Sequence, residues 1–345
     1  MYPEVRTLAV GNTSEYFAYK TSSRKTTKRK ACKKSKPFTN HNAVCKKLLM
    51  PRGLKNKSGQ NVCFLNSALQ LLRACEPFVE LCSKRIHSTS CTVPHGKCFM
   101  CSVERTILNT TAVQSTRQLA KLFAIIEDGY DYKSQYDASC VISKILRSVR
   151  VGPRFPEKGI YPAYHQIVSK YLDQMSCVMK TTVKCKNCDH HNSEESPVFL
   201  FPCALDKDKD NVLKRSKHVI QRRCQCDSSE SVAKTRLIET SKYTFVRLNR
   251  QMYKCDRENG HTVFSTYRSD KKVTVTPDYA FKEDSYKAVA WVSHRGTTSG
   301  GHYVAHRQFD GDVYEYNDDR LSLQRGKEIE NDDEVTIILL LKTTN

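Results

Sequence analysis

The sequence predicts an α+β fold, and three observations carry the prediction. Apolar residues recur at helical spacing only ahead of about residue 150. Beyond Val178 the chain turns to short apolar or alternating runs of strand length. The two textures follow one another in blocks. A parallel doubly wound sheet needs helix and strand in alternation, so the blocked order argues against it.

Taken in order, the first element is a helix from Ser67 to Leu81. Ala68, Leu69, Leu71, Leu72 and Phe78 supply its apolar face, and Asn66 and Ser67 serve as capping residues at its start. Further helical patterns run from Ser115 to Glu127 and from Ala138 to Val149. The strand-like runs are Thr181–Lys184, Pro197–Leu200, Tyr243–Leu248, Lys272–Thr276, Lys287–Val292, His302–Arg307, Val313–Tyr316 and Val335–Leu341. The charged stretch Asp206–Arg223 reads as an exposed insertion between strands. No internal repeat is visible.

The composition bounds the function classes. The chain has 345 residues, 39% hydrophobic and 27% charged, which suits a globular protein able to bury a sizeable core. No apolar stretch is long enough to cross a bilayer, so no membrane partner is expected. The N-terminus lacks the apolar core of a secretory signal. Sixteen cysteines in that setting read as metal ligands or catalytic groups of a reducing, intracellular compartment, cytoplasmic or nuclear. The formal charge of +21 is unevenly placed: residues 1–50 carry 12 Lys and Arg against 2 Asp and Glu, so this segment holds +10. Within it Lys20–Pro37 (KTSSRKTTKRKACKKSKP) has nothing to bury and is expected to be a disordered tail. A solvated flexible segment and a nuclear-localisation or nucleic-acid contact are both open readings of it. Order is expected from near Pro51.

Several residues carry chemistry. Cys63, in GLKNKSGQNVCFLNSALQLL, stands directly before the first helical pattern. A helix N-terminus offers partial positive charge and free N–H groups, which favour a thiolate and, later, an oxyanion. Without more, a buried structural cysteine is the commoner occupant of such a place. A nucleophilic thiol needs an imidazole, and His302, preceded by Gly300 and Gly301 and followed by a strand-like run, can project into a cleft. Cys185 and Cys188 form CxxC, and Cys224 and Cys226 form CxC after 35 intervening residues. Two such knuckles suit a closed tetrahedral Zn²⁺ site. His87, Cys91, Cys98 and Cys101 form HxxxC-x₆-CxxC, a second candidate Zn²⁺ site, with His95 as an alternative ligand and a loop of reduced thiols as the plain reading.

The segment around Cys63 resembles the Cys box of the ubiquitin-specific proteases, approximately GLxNxGNTCFxNSxLQ. Gly53, Leu54, Asn56, Cys63, Phe64, Asn66, Ser67, Leu69 and Gln70 have counterparts, with two additional residues between Asn56 and Cys63. In the family the asparagine of the LxN element lines the oxyanion hole five residues before the nucleophile, a place held here by Ser58. The GQNxCFLNSA form is similar to a divergent branch with the longer spacing, in which Asn56 reaches back or Asn61 takes over. AVAWVSHRGTTSGGHYVAHRQFDGDVYEYNDDRLS resembles the family's His box, which makes His302 the base, His294 a neighbouring histidine that is not the base, and Asn317, with Asp318 beside it, the residue that orients the imidazole. An NDD β-turn is compatible with that role. QYDASCVISKIL resembles QQDAxEFLxxLL, where Asp137 matches a carboxylate facing the arginine of the ubiquitin tail (Leu-Arg-Gly-Gly), and Cys140 stands at the family's glutamate.

The resemblance spans about Pro51 to Lys342. It implies a papain-like hand with a helical thumb, a β-rich palm and zinc-ribbon fingers at about 178–268. It further implies a catalytic domain over 51–342 behind the 1–50 tail, structural Zn²⁺, and ubiquitin and ubiquitinated proteins as partners. The implied activity is a cysteine-type deubiquitinase. Two alternatives remain: an inactive ubiquitin-binding scaffold of the same fold, and a basic zinc protein contacting nucleic acid.

Overall fold

The computed structural model describes residues 50–343, apart from short internal segments of which 154–159, 206–217 and 325–333 are the longest. The basic tail and most of the Asp206–Arg223 insertion therefore lie outside the described residues; 218–222 of the insertion forms a strand. The helices come first: α1 (Cys63–Arg73), α2 (Glu76–Ser83), α3 (Ile86–Ser90), α4 (Phe99–Leu108), α5 (Arg117–Ile126), α6 (Ala138–Val151) and α7 (Ile160–Leu172). Two-residue strands β1 (Leu54–Lys55) and β2 (Gln114–Ser115) pair in parallel beside them. From residue 177 the chain is β: β3 (Cys177–Cys185), β4 (His191–Val198), β5 (Leu200–Ala204), β6 (His218–Arg222), β7 (Ser231–Glu239) and β8 (Tyr243–Asn249) come first. They are followed by β9 (Gln251–Glu258), β10 (His261–Arg268), β11 (Tyr279–Phe281), β12 (Asp284–Gly296), β13 (Gly301–Phe309), β14 (Asp312–Asn317), β15 (Arg320–Gln324) and β16 (Val335–Thr343). The expected α+β order holds.

Local chemistry moves some boundaries. The helix expected over 67–81 is two helices that part at Ala74–Cys75, because Pro77 has no N–H to continue α1 and is suited to the first turn of α2. The first helix also starts earlier, at Cys63, so Asn66 and Ser67 lie inside it and do not cap it. Lys272–Thr276, expected as a strand, carries a single bridge at Val273 among its described residues. Helices α3, α4 and α7 have no counterpart among the sequence-based expectations.

An eight-stranded sheet in the order β15-β14-β13-β12-β16-β8-β5, with β11 on β12, divides two cores. The strand period of two sorts its side chains. Ile337 and Leu339 of β16 and Phe245 of β8 face the helices, while Ile338, Leu340, Val246 and Leu248 face a second core. In β12 a bulge between Ala288 and Ala290 switches the parity: Tyr286 and Ala288 belong to the second core, Ala290 and Val292 to the first. Helix α1, all eleven of whose residues are buried, packs against β13 and α6. A separate four-stranded sheet, β4-β3-β7-β6, and the β9–β10 hairpin complete the described elements. No helix among the described residues is long and apolar enough to cross a membrane.

The loop before α1 packs on the β14–β15 turn. A Cβ on Gly53 would lie 2.6 Å from Asp319 Cα, and Leu54 N–H donates to Asp318 O at 2.8 Å. Gly53→Ala must push this turn away, and overpacking of this kind costs about 1–3 kcal/mol. Chemical denaturation of the variant is expected to show a loss of that size; a loss within error would contradict the close approach.

Candidate active site

Cys63 is the first residue of α1. Val62 precedes it with φ −98°, and its apolar side chain makes no cap bond to the first turn, whose N–H groups lie ahead of the intrahelical ladder. Those dipoles point at the space in front of the thiol. Across from it β13 presents His302, whose ring lies in hydrogen-bonding contact with the Cys63 thiol. Its Nε2 donates to Asn317 Oδ1 at 2.7 Å, which leaves Nδ1 for the sulfur. Asn317 ends β14, the neighbour of β13, so one β-hairpin holds the imidazole and its acceptor. Cys63 is buried, whereas the His302 side chain is 38% exposed, so solvent meets the pair from the imidazole side.

The contact with Cys63 raises the His302 pKa from its ordinary value to about 9. The bond to Asn317 and the charge of Asp318, whose carboxylate is 3.9 Å from Nε2, add to this, against burial, which acts the other way. Asp318 itself, in left-handed backbone at φ +54°, is held by two amides: Asn56 Nδ2 donates at 2.9 Å and Asn66 Nδ2 at 2.7 Å. Asn66 also donates to Leu54 O (3.2 Å) and accepts from Thr116 Oγ1 (2.6 Å), which explains an asparagine inside a buried helix.

The two additional residues ahead of Cys63 are taken up in an exposed turn. Gln60 N–H donates to Lys57 O at 3.0 Å, and Gly59 (φ +75°) and Asn61 (φ +47°) supply the left-handed residues. Asn56 is thereby returned to the residue before Cys63, its Oδ1 accepting from Val62 N–H at 3.4 Å.

Asp137 caps α6, accepting from Ser139 N–H at 2.7 Å, and its other oxygen takes Arg247 of β8 at 3.1 Å. Both charges line a cavity of about 300 Å³ with Ser139, Arg250, Tyr303 and Thr336. Burial first, then the Asp137 charge, pushes the Cys140 thiol up to about 11, so it stays neutral where a second carboxylate was the comparison.

The ligand atoms of His87, Cys91, Cys98 and Cys101 lie within 4.8 Å of one another, as do those of Cys185, Cys188 and Cys226. His87 Nε2 is 3.2 Å from Cys98 Sγ, and Cys185 Sγ is 3.6 Å from Cys226 Sγ. Tetrahedral Zn–S bonds of about 2.3 Å imply sulfur–sulfur edges of roughly 3.8 Å, so both donor sets fit Zn²⁺. The Cys101 thiol and His87 pull the Cys98 pKa down, against burial. Buried Glu104 accepts the N–H groups of His87 (3.2 Å) and Ser88 (3.0 Å), fixing the backbone that carries His87. Cys224 lies outside the described residues, as does His95.

Because the charged imidazolium donates to Asn317 and faces Cys63, losing either contact must lower the His302 pKa. A reaction that needs imidazolium as acid should decline through about pH 9. In Asn317→Ala the alkaline limb of the kcat profile is expected at lower pH; an unmoved limb would contradict the Asn317 contact.

Residues 52–340 match the family model for ubiquitin carboxyl-terminal hydrolase. A curated relative, ubiquitin carboxyl-terminal hydrolase 15 of Arabidopsis thaliana, is 28% identical over 165 residues, which are 42% of this chain and 16% of that protein. A solved chain of the SAGA DUB module Ubp8/Sgf11/Sus1/Sgf73 bound to monoubiquitin superposes with a TM-score of 0.62 at 19% identity, covering 87% of this chain and 70% of that one. A chain of the yeast SAGA DUB module matches with a TM-score of 0.61 at 17% identity, covering 85% and 69%. The architecture is accordingly the papain-like one of the ubiquitin-specific proteases, with helices before a β-rich palm. A match over residues 52–340 makes this chain a member of the ubiquitin carboxyl-terminal hydrolase family, in its ubiquitin-specific protease branch.

Proposed function

We propose that the chain is a thiol-dependent deubiquitinase that hydrolyses the peptide or isopeptide bond after the C-terminal glycine of ubiquitin, through a catalytic domain spanning 51–342 behind the 1–50 tail. The observation that carries this reading is the assembly of Cys63, His302 and Asn317 at the open end of α1. His302 takes the thiol proton, and the sulfur adds to the glycine carbonyl. The oxyanion lies against the N-terminal end of α1, where the helix dipole is positive, and the Asn56 amide, whose nitrogen keeps a second hydrogen beyond the one given to Asp318. Asn61, exposed and in left-handed backbone, is the weaker candidate for that donor. Collapse of the intermediate breaks the C–N bond as the imidazolium protonates the leaving lysine amine. His302 then activates water to release ubiquitin from the thioester.

The cavity at Asp137 is the proposed seat of the ubiquitin tail. Its arginine would have to exchange with Arg247, an exposed ion pair of the class worth about 0.2–1 kcal/mol, which is a small barrier to binding. Cys140 supplies no charge there. Zn²⁺ in both clusters would be structural: protein donors fill the His87 site, and Cys224 is the fourth donor proposed for the Cys185, Cys188 and Cys226 site.

Incubation with ubiquitin bearing a C-terminal thiol-reactive warhead is expected to label the wild type and leave Cys63→Ala and His302→Ala unlabelled. Measurable ubiquitin affinity without labelling would instead favour the inactive scaffold. Elemental analysis of the purified chain is expected to give two Zn²⁺ per molecule and one in Cys98→Ser, with chelation lowering the unfolding temperature. One Zn²⁺ in both proteins would remove the His87 site.

A further inference from the structure

The segment that leads into α6 grips both neighbours of His302. Gly301 N–H donates to Gln135 Oε1 at 2.7 Å, and Gln135 Nε2 donates to Gly301 O, so one side-chain amide takes both backbone groups of the residue before the histidine. On the other side, Ala138, the first residue of α6, lies against the phenol of Tyr303.

The need for such a grip follows from the sheet. On β12 the register pairs Gly296 with Gly301, and the turn closes through Thr297 N–H to Gly300 O at 2.8 Å. The alternation of an antiparallel ladder then turns the N–H and C=O of Gly301 away from β12. On that side the neighbour is β14, but its pairing with β13 begins only at Ala305. Residues 301–304, His302 among them, overhang the end of β14, and Gln135 stands where a strand would have satisfied Gly301. Nor can Gly301 adjust by gaining a side chain, since a Cβ there would lie 2.3 Å from Arg295 O.

We propose that Gln135 is a positioning residue for the reaction, one that fixes the His302 ring against Cys63 through the Gly301 backbone. It stands two residues from Asp137, so the segment that holds Gly301 runs directly into the wall of the Asp137–Arg247 cavity. This rests on the deubiquitinase reading for its reaction, though not for its geometry. The groups that face the ring are Cys63, Asn317 and Asp318, and none of them is altered by a change at Gln135.

The test is Gln135→Met, which keeps the length of the side chain and removes both bonds. Titration of His302 by NMR, without any substrate, is expected to show a midpoint lowered from that of the wild type by at least tenfold in proton concentration. Unfolding temperatures should stay alike. On a ubiquitin substrate with a fluorogenic leaving group, kcat is expected to fall tenfold or more while KM changes less than twofold. Gln135→Glu, which keeps the acceptor for Gly301 N–H, is expected to retain more of kcat than Gln135→Met. An unchanged His302 midpoint, or a rise in KM with kcat intact, would overturn the proposal. A wild type that shows the raised midpoint and no turnover would remove the deubiquitinase reading alone.

Discussion

The Asp318 carboxylate, at the turn between β14 and β15, is the contact on which the two halves of the site depend. Cys63 comes from the helical block and His302 from the sheet, more than two hundred residues later in the chain. Asn56, ahead of Cys63, and Asn66, one turn into α1, both donate to Asp318, and Leu54 N–H donates to its backbone oxygen. Hydrogen bonds to a charged group contribute about 1.5–3 kcal/mol each, and the cost of leaving one unmade is larger when the carboxylate is shielded, as Asp318 is at 11% exposure. The same turn carries Asn317, so holding Asp318 in place also holds the acceptor of the His302 ring. A carboxylate at this point has a second effect, since its charge stabilises the imidazolium without touching the sulfur.

That clamp explains why the longer approach to Cys63 leaves the site intact. Extra residues are tolerated where both ends of a loop are tied down and the middle is exposed. Here the ends are Asn56, bound to Asp318 and to Val62 N–H, and Cys63, inside a fully buried helix. The insertion is absorbed by a turn whose left-handed positions fall on Gly59 and Asn61, residue types that adopt that backbone at low cost.

Much of the fold was legible because block order and periodicity are local properties. The strands Tyr243–Leu248, Lys287–Val292 and Val335–Leu341 read directly, since buried strands carry continuous apolar runs. The division of the 67–81 pattern at Pro77 was written in the sequence too, but apolar spacing continued across the break and masked it. Asn66 looked like a cap because its type favours caps; its actual partners, Asp318 and Thr116, are distant in sequence and no local signal points to them. The same holds for Arg247 and Asp137, 110 residues apart, and for Glu104, a charged residue on an otherwise apolar helix face whose only sequence trace is that mismatch. Residue type thus marked the candidate site residues, while the partners that hold them required the tertiary structure.

Steady-state hydrolysis of ubiquitin carrying a fluorogenic amide at its C-terminal glycine tests the central claim most directly. The account predicts turnover by the wild-type chain, abolished in Cys63→Ala and in His302→Ala with ubiquitin affinity retained. Ubiquitin binding with no turnover by the wild type, or turnover that survives Cys63→Ala, would contradict it.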